Sequence, residues 1–252
     1  MRRFLVFTVM AALGVGGAAA LARAPRALAR LELFQVRHVR LEGTRFLSRE
    51  EAVRALALPA GASVWDEVGD WEDRLAAHPL VKEVHIRRRL PSTLVLDVEE
   101  TEPVALVATP VLEPVDHRGR LLPVDPAVNR LDLPLLTPMS PGRQEALTPA
   151  ERELLARETA LLGRHEPTFL ARVSNLSLNH RGDIRARLWD GDEGPAGGVT
   201  FLLRPGLPGQ RIQQGMRVLG DARARFRDRR VTGLDLRYDD QVVVRLDPAT
   251  GG

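Results

Sequence analysis

Six histidines, at positions 38, 78, 85, 117, 165 and 180, are the first side chains to test for chemistry. A helical metal site needs two of them at i, i+4 spacing, as in HExxH, and no pair here has it. Asp66, Asp70 and Asp73 are spaced as a carboxylate cluster on one helical side. Acids at that spacing ordinarily line a solvated helix face. The sequence holds neither a GxSxG nucleophile elbow nor a GxxxxGK[ST] phosphate loop. It has no cysteine, which removes thiolate catalysis, disulfides and Cys-based zinc together. The expectation is a protein with no catalytic residues, metal or cofactor, one that works by binding.

The composition narrows what it binds. Charged residues make up 27% and apolar residues 44% of 252 residues, the balance of an ordinary globular chain. With three Trp and one Tyr, the chain is poor in the aromatic platforms that stack on bases. The net charge of +3 comes from arginines interleaved with acids, as in Arg223, Arg225, Asp228 and Arg229. A nucleic-acid site gathers its cations on one element, so the pattern reads as a solvated surface.

The N-terminus carries the clearest address. Arg2 and Arg3 precede an uncharged apolar run over residues 4–22, 19 residues long. As a helix it would span about 28 Å, close to the hydrocarbon thickness of a bilayer. One reading is an anchor, with residues 1–3 as a short cytoplasmic tail, 4–22 as a single transmembrane helix and 23–34 as a stalk. A second is a signal peptide, cut at Ala18-Ala19-Ala20 or Ala27-Leu28-Ala29. The length favours the anchor, because signal h-regions run only about 7–15 residues. Arg23, Arg26 and Arg30 outnumber the two leading arginines, so the positive-inside rule decides little. Either reading exports the remainder; a buried N-terminal helix of a cytosolic protein is the remaining alternative.

The elements that follow suggest a first folded unit over residues 35–104. Val39 and Leu41 alternate with Arg40 and Glu42 as a half-buried strand stopped at Gly43. Ser48 with Glu51 forms a capping box opening a helix whose Ala52, Val53 and Leu56 share a face. A second helix over 68–77 stacks Val68, Trp71 and Leu75, and His78-Pro79 stops it. Two strands follow, with Val84, Ile86, Arg88 and Leu90 in one row and Leu94, Leu96 and Val98 alternating after Pro91-Ser92. The order is β-α-α-β-β.

These residues resemble a polypeptide-transport-associated (POTRA) domain. The likeness rests on Pro79-Leu80-Val81, the V-x-I-x-R step through Val84, Ile86 and Arg88, Pro91 with Leu94, and Glu100 with Pro103-Val104-Ala105. It implies a three-stranded sheet with two helices on one face. Edge strands of such a sheet can pair with an extended foreign segment.

Residues 105–247 read as a second, β-rich unit, with 248–252 a loose tail. A hairpin is expected over 111–124, turning at His117-Arg118-Gly119, and a proline-rich connection runs over 123–149. Thr148, Pro149 and Glu151 make a second capping box, opening a helix to about Gly163. Strands are expected at 176–178, 184–188 and 199–203, then a helix over 210–227. Leu234, Leu236 and Tyr238 alternate as a strand, Asp239-Asp240 turns the chain, and 242–246 closes it. The fold class is therefore α+β: a transmembrane helix, a POTRA-type β-α-α-β-β domain, and a mainly antiparallel β domain with flanking helices.

That arrangement resembles the FtsQ/DivIB family of bacterial cell-division proteins, most closely in the run 233–245, whose D-L-R-Y strand is characteristic. The resemblance implies a plasma-membrane scaffold at the division septum. Its β domain would bind membrane-anchored coiled-coil partners of the FtsB and FtsL type, through a segment that adds beside the last strand. The contact residues it implies are Arg237, Tyr238, Asp240, Gln241, Val242 and Leu246. Arg237 and Tyr238 stand as the family has them, whereas Gln241 and Leu246 depart from its pattern. A second partner site is implied at Glu83, Ile86 and Arg88 of the POTRA unit, where a solvated strand face is the competing reading. Independently, residues 241–245 form an apolar strand without Pro or Lys, which would invite aggregation if left bare at an edge. Either a partner covers it, or the valines are core and the edge lies elsewhere. A POTRA-bearing protein of outer-membrane assembly or transport is the other functional class considered. The segments after the POTRA unit are too short and too helical for the 9–11-residue strands of a transmembrane barrel.

Overall fold

Two reciprocal caps organise the helices. The Ser48 hydroxyl accepts from the Glu51 N–H, and the Glu51 carboxylate accepts from the Ser48 N–H at 3.0 Å. Thr148 and Glu151 repeat the arrangement, with Pro149 in the first turn. Both were expected from the S/T-x-x-E spacing. The computed structural model describes residues 31–138, 146–189 and 198–247. The apolar run 4–22 and the stalk residues 23–30 lie outside them. None of the helices among the described residues is long and apolar enough to cross a membrane.

The chain divides after Thr101 into two units. The first comprises β1 (His38–Glu42), α1 (Arg49–Leu56), α2 (Gly69–Ala76), β2 (Val81–Arg89) and β3 (Thr93–Glu100). Its sheet has the order β1-β3-β2, with β1 parallel and β2 antiparallel to the central strand. Ala52, Leu56, Trp71 and Leu75 of the helices and Leu94, Leu96 and Val98 of β3 are buried. Val53 is exposed. It was expected beside Ala52 and Leu56, but it lies about 100° round the helix from Ala52, at the margin of the buried face. Gly43 turns the chain out of β1 at φ +83°, and a Cβ there would come within 2.4 Å of the Val98 carbonyl oxygen.

The second unit is built on one eight-stranded sheet. In chain order it has β4 (Ala105–Ala108), β5 (Leu112–Val115), β6 (Leu135–Leu136), α3 (Pro149–His165) and the short α4 (Pro167–Leu170). Then come β7 (Val173–Leu178), β8 (Ile184–Leu188), β9 (Thr200–Leu203), α5 (Gly209–Arg225), β10 (Val231–Asp235) and β11 (Val243–Leu246). The strand order is β11-β10-β9-β8-β7-β6-β4-β5.

Four of the seven strand pairings are antiparallel, in keeping with the mainly antiparallel expectation, and three are parallel, so the sheet is mixed. β4 with β6, β6 with β7 and β9 with β10 are parallel. The helices are the reason. A parallel neighbour needs a crossover of a dozen residues or more, and α3 and α5 supply two of them. Both crossovers step in the same direction along the sheet, so a common hand puts both helices on one face. The buried cluster agrees: Leu155 and Leu162 of α3 and Ile212 and Leu219 of α5 join Leu176, Ile184, Phe201 and Leu234 of the strands. The other face is left without a helix among the described residues.

The hairpin also differs. The turn at 117–119 is present, with the buried Asp116 carboxylate accepting from the N–H groups of Arg118 and Arg120 at 2.9 and 2.8 Å. The main partner of β5 is β4, paired from Ala105↔Val115 to Ala108↔Leu112, and the return past the turn makes one bridge, Val115↔Leu121.

Candidate partner-docking edge

β11 is the terminal strand of the sheet and has no strand on its outer flank among the described residues. It runs antiparallel to β10 with Leu234 opposite Val244 and Asp235 opposite Val243, and a bulge interrupts the ladder between Val231 and Gly233. The valines of this strand are divided between core and surface. Val242, Val244 and Leu246 are half-buried and pack on the core cluster, while Val243 is 41% exposed and Arg245 is exposed.

The opposite end of the sheet is protected. β5 carries Pro114, which has no N–H to offer, and the Pro114 carbonyl already accepts from the Leu122 N–H at 2.8 Å. Proline and a covering loop are common ways of blunting an edge. Among the described residues β11 carries neither.

Two arginines set the turn before β11. Arg211 of α5 donates through Nη2 to the Tyr238 carbonyl and to the Gln241 carbonyl, the latter at 2.9 Å. Arg204 pairs with Asp239. Tyr238 was expected on the strand with Leu234 and Leu236. The strand ends at Asp235, however, and Tyr238 stands 45% exposed in the turn. Asp240 and Gln241 are exposed beside it.

Arg237 has a different place from its neighbours. It forks onto Asp235, Nε to Oδ1 at 2.9 Å and Nη2 to Oδ2 at 2.7 Å, and extends Nη1 to Asp183 Oδ2 at 2.7 Å. These bonds, above all the side-chain bond from Arg237, hold the Asp235 carboxyl below the usual carboxylate range. The same bonds raise the Arg237 guanidinium. Arg237 is thus a clamp between the end of β10 and the β7–β8 turn. It also borders a groove of about 480 Å³ on the helix-free face, lined among others by Arg181, Arg185, Thr200 and Arg245. Sequence reasoning missed Arg185, Arg211, Asp183 and Asp235. Of these only Asp235 had a local signal, its i, i+2 spacing to Arg237.

The second set of residues is largely engaged by its own unit. Ile86 is buried, and its N–H donates to Glu72 Oε1 of α2 at 2.6 Å, closing the β2 edge at that point. Arg88 donates to the carbonyls of Val64 and Asp66 at 2.6 and 3.0 Å. The reason is the strand's alternation: the row carrying Val84 and Ile86 faces the helices. Glu83 is exposed, with Oε1 3.1 Å from His85 Nε2. Among the described residues no cluster of His, Asp and Glu could hold a metal ion.

Comparison with known proteins places this geometry. The model of the FtsQ-type POTRA domain matches residues 34–101. The chain is 30% identical over 248 residues to the cell division protein FtsQ of Anaeromyxobacter sp., covering 95% of this chain and 80% of that protein. It is 32% identical over 133 residues to FtsQ of Myxococcus fulvus and 26% identical over 131 residues to FtsQ of Syntrophotalea carbinolica. Those two matches cover 45% and 46% of the relatives, so the chain spans a little under half of their length. A POTRA unit of this type and a likeness covering 95% of the chain carry one conclusion: the chain belongs to the FtsQ family of cell-division proteins.

Proposed function

We propose that this protein is a membrane-anchored scaffold of the bacterial division machinery, and that it captures a partner by strand addition along β11. The observation that carries the reading is the contrast between the two ends of the eight-stranded sheet. β5 is blocked by Pro114 and its returning loop, while β11 has no strand on its outer flank among the described residues. An extended partner segment would pair its main chain with β11, alternate side chains meeting Val242, Val244 and Leu246 on one face and Val243 and Arg245 on the other. Tyr238, Asp240 and Gln241 border the site at the turn.

In this reading residues 4–22 are the tether, the rest of the chain is extracytoplasmic, and the protein works at the septum. Its partners are membrane-anchored coiled-coil division proteins of the FtsB and FtsL type. Of the set on the POTRA unit, Glu83 and Arg88 are exposed and available to a second partner, while Ile86 is buried. Catalysis has no part in this function.

Strand capture is tested with the full-length chain and its FtsB-type partner. Val244→Pro removes an outward-pointing donor from the edge, the Val243 N–H being turned toward β10, and Tyr238→Ala removes an exposed aromatic anchor. Each should weaken capture by about thirtyfold, the scale of an interfacial hot spot. Capture that survives both changes, with the melting of both variants unaltered, rules out β11 as the docking edge.

A further inference from the structure

The helix-free face of the POTRA sheet is electrically polarised along its strands. The register lays its outward side chains in four ranks: His38, Thr93 and Arg89; Arg40, Val95 and Arg87; Glu42, Asp97 and His85; and last Glu99 and Glu83, with Lys82 of the adjoining bulge paired to Glu99. The first two ranks carry only cations among their charged groups, and acids begin at the third. Arg87 leans across this boundary, pairing with Asp97 and, at 3.2 Å, with Glu42. Arg40 and Arg89 have no ion-pair partner among the described residues.

The cationic end is also the end where the chain arrives from its apolar N-terminal run. The N–H groups of Arg37 and His38 both donate to the Ser92 carbonyl, at 2.9 and 3.2 Å. This holds the leading segment against the β2–β3 turn. That turn presents Leu90, 54% exposed, and Leu31 and Leu33 of the leading segment are exposed as well. From 31 to 41 the sequence holds one acid, Glu32, against Arg37, His38 and Arg40. Eight residues, 23–30, separate the apolar run from this segment, a reach of at most about 28 Å fully extended.

Exposed leucine beside unpaired arginine is the chemistry of an interfacial contact: an apolar side chain entering the headgroup layer and cations facing phosphate. We infer that the end of the POTRA unit formed by the leading segment and the β2–β3 turn rests on anionic phospholipid, with Leu90 in the headgroup layer and Arg37, Arg40 and Arg89 on lipid phosphates. Glu83 lies six strand residues from Arg89, roughly 20 Å away, so the acidic ranks are repelled outward by the same surface. The contact sets the direction in which the unit stands. It rests on the tethered reading of residues 4–22.

The test uses the full-length chain reconstituted in nanodiscs. Because the protein lacks cysteine, an environment-sensitive fluorophore can be attached at Leu90→Cys or, in a separate preparation, at Glu83→Cys. In discs of phosphatidylglycerol the label at position 90 should be shielded from acrylamide relative to discs of phosphatidylcholine, and the label at position 83 should not change. Arg37→Glu with Arg89→Glu should abolish the shielding, since each arginine lost at an anionic surface costs about fivefold in the docked-to-undocked ratio. Equal quenching at both positions in both lipids overturns the inference. So does shielding at position 90 that ignores lipid charge and rises with protein copies per disc, which marks a protein contact. Flotation of the unlabelled chain with vesicles after carbonate washing reads the tether by itself, so its failure is distinct from failure of the contact.

Discussion

Arg237 and Asp183 stand 54 positions apart in sequence and are joined by a bond of 2.7 Å, with the other side of the same guanidinium forked onto Asp235. Arg237 therefore ties the end of β10 to the β7–β8 turn. Replacing Arg237 with Ala leaves the buried Asp235 with only Arg245, 3.8 Å away, a loss of about 3 kcal/mol. Urea unfolding of the second unit, followed by hydrogen exchange in β8 and β10, should show it. Arg237→Lys should recover only part, because an ammonium cannot fork across two carboxylates.

The same clamp makes stability depend on acid. Asp235 has a lowered pKa in the folded state, chiefly through the side-chain bond from Arg237, and Glu151 is lowered by its bond from the Thr148 hydroxyl. A carboxyl lowered on folding contributes stability above its unfolded pKa and loses it as pH falls through the folded value. Stability should be level from about pH 6 to 8 and decline below about pH 4. Asp235→Asn should be less stable at neutral pH, and its deficit should shrink as the solution is acidified.

Two glycines of α5 should respond with opposite sign. A Cβ on Gly215 would lie 2.6 Å from the buried Leu236 side chain and 3.1 Å from Phe201, whereas Gly220 is exposed with nothing within 4 Å. Gly215→Val should cost about 2 kcal/mol by overpacking. Gly220→Ala should add about 1 kcal/mol through helix propensity. Thermal melting distinguishes them.

In the POTRA unit the Glu100 carboxylate accepts from three consecutive N–H groups, those of Arg45, Phe46 and Leu47, at 2.8, 2.9 and 2.6 Å. Glu100→Ala strands all three and should destabilise this unit by about 2 kcal/mol. Faster hydrogen exchange at residues 45–47 would be the direct readout.

Those contrasts show what the sequence could and could not disclose. Ser48 with Glu51 and Thr148 with Glu151 were legible because a capping box closes within one turn of chain. The β-α-α-β-β order and most strands of the second unit were legible from alternation. Leu135 and Leu136 were not, being a two-residue strand inside a proline-rich stretch with no period to detect. The parallel pairings were hidden for a related reason: α3 and α5 were visible as helices, but nothing local states which strands a crossover joins. The candidate residues split along the same line. Leu246 could be placed on a strand, while the clamp on Arg237 needed Asp183, and Ile86 and Arg88 are bonded to partners 14 and 24 positions away.

Pro114 has a further meaning for assembly. With one end of the sheet sealed, the second unit can be lengthened in only one direction, and by this proposal one guest completes it. That guest becomes the new rim, with its own outward donors and acceptors. Protection against runaway stacking then passes to the incoming chain, which must bring a proline, a charge or a folded flank of its own to end the growth.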